Sequence, residues 1–342
     1  MDEPLRIVAA LATGFATVTL AVPVAERVAA RTNFYDRPGG YKEHGRPTPY
    51  LGGAAVVLGF IVAAVAFADS LADFRVPTIC ALILLAVGTI DDRVNLGIIP
   101  RLIVEIGVGV AVWAAGQGWE TGSGGVLDLL LTVGWVVGVI NAFNLMDNLD
   151  GAAATVAGTS AAGVGAVATL QGSPILVAIC FALSGACAGF LPHNLARPSR
   201  IFLGDGGSMP IGFILAAAIM VLPQSHPGLP AFAIACLLVG VPLLDMAAVI
   251  VSRRRRGVGV FTGGRDHLTH RLYGYLGSER MVAAVLAASQ GFFCLVAVLL
   301  SQGVSGAAII ATSTVVIGAA AIGFASIELI GSGLRRVRQD DG

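Results

Sequence analysis

Five polar segments interrupt an otherwise apolar chain, and their residue types suit phosphate and metal chemistry. Asp91-Asp92 closes an apolar run at Thr89-Ile90. Two adjacent carboxylates repel each other, which raises the free energy of ionising both unless a cation sits beside them. A magnesium ion or a proton-transfer role accounts for the pair. In the segment from Asn141 to Gly151, the residues Asn144, Asp147 and Asp150 recur every third position. A helical turn therefore projects them toward one side, where oxygen ligands suit a hard cation or the hydroxyls and imide of a nucleoside. Gly204-Asp205-Gly206-Gly207-Ser208 leads into a helix expected to start near Met209. Such a turn offers backbone N–H groups and the positive end of a helix dipole to a phosphate. Asp205 would hold the metal that this phosphate needs, and Phe202 is placed to stack a base. Arg265, His267 and His270 are read as hydrogen-bond donors to a diphosphate. The fifth segment runs from Asp36 through Lys42 and His44 to Gly53.

These residues must be positioned by helices in a bilayer. The chain has 342 residues, 56% hydrophobic and only 12% charged, with a mean hydropathy of +0.84, which excludes an ordinary soluble domain. A net charge of zero gives no reason to expect a nucleic acid partner. Five cysteines (Cys80, Cys180, Cys187, Cys236, Cys294) lie in apolar runs without a C-x-x-C pair and are expected to be free, buried thiols. Apolar runs near 5–25, 50–68, 76–90, 102–117, 126–146, 152–171, 173–192, 209–222, 230–252, 281–301 and 304–328 are each close to the roughly 20 residues that cross a bilayer. The expected fold class is all-α: a polytopic integral membrane protein of about eleven transmembrane helices, one domain over residues 1–342, whose first run is retained rather than cleaved.

With eleven crossings, nineteen of the 21 lysines and arginines fall on one side, which the positive-inside rule makes cytoplasmic. The N-terminus is then outside and the C-terminus cytoplasmic. All five polar segments lie on that basic side, whereas the opposite loops are short and nearly free of motifs, so the plainer reading as solvated loop residues is disfavoured. Arg253 to Arg256 are read chiefly as topology determinants or contacts to anionic lipid. Glu105 and Asp245 lie inside predicted spans, where carboxylates are costly enough to count as site candidates.

The motif order resembles that of the polyprenyl-phosphate N-acetylhexosamine-1-phosphate transferases, in glycosyltransferase family 4. The residues carrying the resemblance are Asp36-x-Pro-x-x-x-Lys42-x-His44, Pro49-x-x-Gly52-Gly53, Asp91-Asp92, Asn141-x-x-Asn144-x-x-Asp147-x-x-Asp150-Gly151, Gly204-Asp-x-Gly-Ser208 and His267-x-x-His270. The resemblance implies Mg2+-dependent transfer, with Mn2+ as an alternative ion, of a sugar 1-phosphate from a UDP-sugar to a polyprenyl phosphate, releasing UMP. It implies a multi-pass enzyme of the plasma membrane working at the cytoplasmic face in a cell-envelope glycan pathway, with a homodimer as a further candidate assembly. Carried over, Asp205 and Asn144 would meet the magnesium-diphosphate, and Asp150 and Phe202 would hold uracil. Asp91 and Asp92 would act near the attacking lipid phosphate, with Arg101 and Lys42 as phosphate contacts. His44 and Asp147 join the substrate-binding set. Arg265, His267 and His270 would cover sugar and diphosphate, and Asp91, Asp92, Asp205 and His267 form the catalytic set.

Two positions depart from the family pattern. Thr269 stands where the histidine loop often carries a further histidine, and Asn148 stands where glycine is usual. The loop also lacks the three consecutive histidines of the muramoyl-pentapeptide branch, so an N-acetylglucosamine-type donor is expected ahead of another UDP-N-acetylhexosamine or UDP-MurNAc-pentapeptide. Asp147-x-x-Asp150-Gly151 invites comparison with the CDP-alcohol phosphotransferases, but residues 152–170 contain no charge and that comparison fails. A secondary transporter is the remote rival. Its coupling residues would sit near mid-bilayer within paired repeats, and neither feature is present.

Overall fold

The computed structural model describes residues 1–36, 47–68, 70, 72–122, 124–223, 225–259, 264 and 266–340, without the side chains of Asp73 and of 327–340. Each of the eleven apolar runs is helical. In chain order the helices are α1 (Glu3–Thr32), α2 (Gly52–Phe67), α3 (Arg75–Val94), α4 (Ile98–Ala114), α5 (Val126–Met146), α6 (Ala152–Leu170) and α7 (Pro174–Asn194). They continue as α8 (Asp205–Met220), α9 (Leu229–Leu238), α10 (Gly240–Arg255), α11 (Leu268–Leu276), α12 (Glu279–Leu300) and α13 (Gly306–Asp340). Six of these are long and apolar enough to cross a membrane, and α9 with α10 makes a seventh if the bent pair is one span. Two short strands, β1 (Tyr35–Asp36) and β2 (Thr48–Pro49), pair antiparallel with Tyr35 opposite Pro49. All five cysteines are free, and four of them are buried.

Helix α8 is the axis of the bundle. Every residue from Gly206 to Met220 is buried, the expected environment for a helix that is apolar all round. It packs against α3, α5, α2 and α6. Two of these crossings are so close that only glycine fits. A Cβ on Gly53 of α2 would lie 2.2 Å from the Gly207 nitrogen, and one on Gly88 of α3 would lie 2.4 Å from the Asp205 carbonyl oxygen. Small residues of this kind let helices approach within lipid. Here they press the ends of α2 and α3 against the N-terminal turn of α8. That turn begins at Gly204 (φ +71°), so α8 starts at Asp205 and not near Met209.

The run 230–252, expected as one helix, is two helices that meet at 87° around Val239. Pro242 supplies no N–H in the first turn of α10, and the bend leaves backbone groups of both helices without helical partners. Gln290 of α12, fully buried, provides them. Its carbonyl oxygen accepts the Val241 N–H at 3.0 Å, and its amide donates to the Leu238 and Leu237 carbonyls at 2.9 and 3.2 Å. Irregular backbone among apolar helices persists only where such partners exist. Hydropathy is continuous across the break, which is why it reads as a single span. The amphipathic α11 is too short to register as an apolar run.

Gln290→Leu removes three backbone partners at the α9–α10 break, so it is expected to destabilise the protein by about 2–5 kcal/mol. Thermal unfolding in detergent measures this. Gly138→Ala, whose new Cβ meets nothing within 4 Å, is the control and is expected to change stability by no more than about 0.5 kcal/mol.

Candidate active site

The α3 end brings Asp91 and Asp92 to the start of α8, and each has a distinct set of partners. Asp92 accepts the backbone N–H of Asp205 at 2.9 Å and of Gly206 at 3.1 Å. Asp147, just past α5, accepts the Gly204 N–H at 3.1 Å, while Gly207 and Ser208 donate to the Gly204 carbonyl. The N–H groups expected to cradle a phosphate are therefore bonded within the protein. A carboxylate at a helix N-terminus satisfies the same orphan donors and the same dipole that an anionic ligand would.

Asp205 itself faces a different network. Its Oδ1 accepts the Asn144 amide at 2.7 Å, and that amide also reaches Ser208 Oγ at 3.1 Å. Its Oδ2 lies 2.6 Å from Arg101 Nη1, which sits 2.8 Å from Asp91 Oδ2 as well. Arg101 comes from the first turn of α4, one turn before Glu105, and Asp91 also caps the short α3–α4 link through the Leu96 N–H. Glu105 is buried and accepts the Asn141 amide. Burial, reinforced by the charges of Asp205, Asp92 and Asp150, holds the Asp147 carboxyl well above the usual carboxylate range.

Among the described residues, this network sets Asp91, Asp92 and Asp205 against the single guanidinium of Arg101. The excess of negative charge calls for a further cation. The donors of Asp91, Asp205, Asn144 and Ser208 are all oxygen or side-chain amide, the hard set that Mg2+ prefers. No three His, Cys, Asp or Glu side chains form a closed cage among the described residues. Mg2+ commonly takes only one or two carboxylates and completes its shell with water and substrate phosphate, so the residues fit the ion.

The chain's relatives identify its family. Residues 74–223, which span α3 to the end of α8, match the family model for glycosyl transferase family 4. Over 324 residues the chain is 32% identical to the decaprenyl-phosphate N-acetylglucosaminephosphotransferase of Mycobacterium tuberculosis (strain ATCC 25618 / H37Rv), covering 83% of this chain and 80% of that protein. The chain belongs to glycosyl transferase family 4. It is also 30% identical over 286 residues to the undecaprenyl-phosphate alpha-N-acetylglucosaminyl 1-phosphate transferase of Yersinia pestis, covering 78% of this chain and 77% of that one. The protein of the same name from Escherichia coli (strain K12) is 29% identical over 297 residues, covering 80% and 79%. The protein is thus a transferase, and the transporter reading is set aside.

In this family 4 transferase the remaining expected residues fall into two neighbouring groups. Phe202 is half-buried, and its backbone pairs with Pro49 and Gly52, which sets its ring 6.2 Å from that of Tyr50. Asp150 is tied to the same segment through Asn194, whose side chain bonds the Gly151 N–H at 2.6 Å and the Ile201 carbonyl at 3.0 Å. Asn194 is a buried polar residue at the end of α7. It lacks motif company, and its position next to His193 before a loop was the only signal.

The second group is the histidine segment. Asp266 is gripped by Arg253 through two bonds of 2.9 Å and by Arg256 at 2.6 Å. Burial opposes ionisation of Asp266, yet its bonds to Arg253 and to its own backbone N–H, with the charges of Arg253 and His267, bring its pKa down to about 2. Arg253 and Arg256 therefore have a duty beyond setting topology. His267 is buried, with its ring 6.4 Å from that of His270. The two groups meet where the Thr269 hydroxyl donates to the Asn148 side-chain oxygen. The two positions singled out in the sequence, Asn148 and Thr269, are thus partners. Lys42, His44 and Arg265 lie outside the described residues.

A double-mutant cycle tests this junction. Asn148→Ala and Thr269→Val are expected to lower thermal stability with a coupling of about 1 kcal/mol between them. Strict additivity would show that the pair does not join the two groups.

Proposed function

We propose that the protein transfers N-acetylglucosamine 1-phosphate from its UDP derivative to a polyprenyl phosphate at the cytoplasmic face of the plasma membrane, releasing UMP. The observation that carries this reading is the Asp91–Arg101–Asp205–Asn144 network at the buried ends of apolar helices. On this reading a soluble anionic nucleotide and a lipid phosphate meet at it, and the chain's relatives are named for a polyprenyl phosphate and for N-acetylglucosamine.

An oxygen of the lipid phosphate attacks the phosphorus that bears the sugar, and the bond from that phosphorus to the bridging oxygen breaks. UMP departs with that oxygen and the lipid diphosphate-sugar remains. The lipid phosphate is already anionic near neutral pH, so no protein nucleophile is needed. Bound Mg2+, held by Asp205 with Asn144 and Asp91, would neutralise the diphosphate and polarise its oxygens. Arg101 exchanges carboxylate for phosphate contacts, bidentate geometry being its strength. Asp92 and Asp147 keep the α8 turn rigid beneath Asp205, so the reacting groups are positioned without reorganisation. Asp150 and Phe202 take the uracil. His267 and His270 donate to the diphosphate, and Lys42, His44 and Arg265 complete the phosphate contacts.

Purified protein with Mg2+, UDP-N-acetylglucosamine and a polyprenyl phosphate is expected to release UMP, and Asp205→Asn to reduce the rate at least about 100-fold. Inside-out vesicles are expected to use external UDP-sugar, whereas sealed right-side-out vesicles are not. Failure of a full panel of UDP-sugars to yield UMP would refute the reaction.

A further inference from the structure

Asp245 is fully buried on α10, the second helix of the bent α9–α10 pair. Both of its oxygens engage the same short segment. Oδ1 accepts the Leu268 N–H at 2.7 Å, and Oδ2 lies 2.8 Å from His267 Nδ1. Burying a carboxylate this completely is costly without strong partners, and both partners here belong to the histidine segment. His267 is the N-cap of α11. Its neighbours are pinned in succession: Asp266 by Arg253, Leu268 by Asp245 and Thr269 by Asn148. Four consecutive residues are thus held by α10 and by the turn after α5, and the imidazole has one orientation available.

An ionised carboxylate only accepts, so the proton in the contact belongs to Nδ1. Among the described residues Nε2 has no hydrogen-bond partner. We propose that Asp245 is a positioning residue: it fixes His267 with the proton on Nδ1, presents Nε2 as the working nitrogen, and balances the charge of the imidazolium that donates to the donor diphosphate. The logic is that of a carboxylate that orients a histidine in an acyl-transfer triad, here applied to phosphoryl transfer. The part played by the diphosphate rests on the function proposed above; the proton assignment does not.

The full-length protein labelled with 15N in its five histidine rings, with His267→Gln used for assignment, is expected to show Nδ1 of His267 protonated. Asp245→Asn keeps an oxygen for Leu268 but turns an amide donor toward Nδ1, so Nδ1 is expected to lose its proton and the ring to stay neutral with its one proton on Nε2. In the UMP-release assay Asp245→Asn is expected to lower kcat about 10- to 100-fold with little change in the KM for the UDP-sugar. On a His267→Gln background it is expected to add no more than about a twofold loss, because residues acting as one unit are not additive. A bare Nδ1 in the wild-type spectrum, or an undiminished effect of Asp245→Asn without His267, would overturn the proposal. Should no UDP-sugar be turned over, the reaction reading fails, while the wild-type spectrum still decides the proton assignment. That spectrum also decides it if the Asn variant does not fold.

Discussion

The contact on which the rest of the site depends is the carboxylate of Asp92 closing the N-terminus of α8. A helix end leaves N–H groups that must find partners. Asp92 takes two of these donors and Asp147 takes the one on Gly204. The missing side chain of Gly88 is what lets α3 come close enough to deliver Asp92. Once α3 and α8 are joined this way, Asp91 must lie beside Asp205, and the surplus of negative charge follows from packing. Arg101 can relieve only part of it. The crowding of carboxylates around Arg101 is therefore built into how the helices are held.

The same physical problem recurs at the α9–α10 break and has the same kind of solution. Gln290 reaches from α12 to satisfy three backbone groups, and the 87° bend it supports redirects α10 toward the histidine segment. Asn194 does likewise where the turn after Asp150 meets the loop before Phe202. Each is a polar side chain from a distant helix that repairs irregular backbone. Each irregularity, in turn, is what aims a functional group.

The helices were legible because bilayer-length apolar runs carry a strong signal, and for α5 the expected run and the helix coincide at 126–146. Asp91, Asp205 and Asn144 were legible because acidic and amide residues at the ends of such runs have few bland explanations, and the structure does bring them together. Pairings across long separations were not legible. Asn148 and Thr269 each stood out as an oddity, yet nothing in local spacing says that residues 121 apart in sequence touch. Asp245 was conspicuous only as a carboxylate in a span, with no indication that His267 was its partner. The phosphate cradle at Gly204–Ser208 was misread for an instructive reason. A helix N-terminus attracts any carboxylate or phosphate equally, and sequence pattern cannot tell which arrives from within.

Charge distribution gives the two halves of the site their relation. The α3–α5–α8 half is rich in carboxylates and internally bridged by Arg101, whereas the α10–α11 half carries Arg253 and Arg256 around Asp266. An ion pair between the halves would have neutralised charge on both sides. The observed link, Thr269 to Asn148, is neutral. It joins the halves without altering the charge of either, since a hydrogen bond between uncharged groups changes no formal charge. A histidine in place of Thr269 would bring a titratable group to that junction, and glycine in place of Asn148 would remove the acceptor. Thr269 and Asn148 thus form one neutral link between the carboxylate-rich half and the half that holds the Arg253–Asp266–Arg256 cluster.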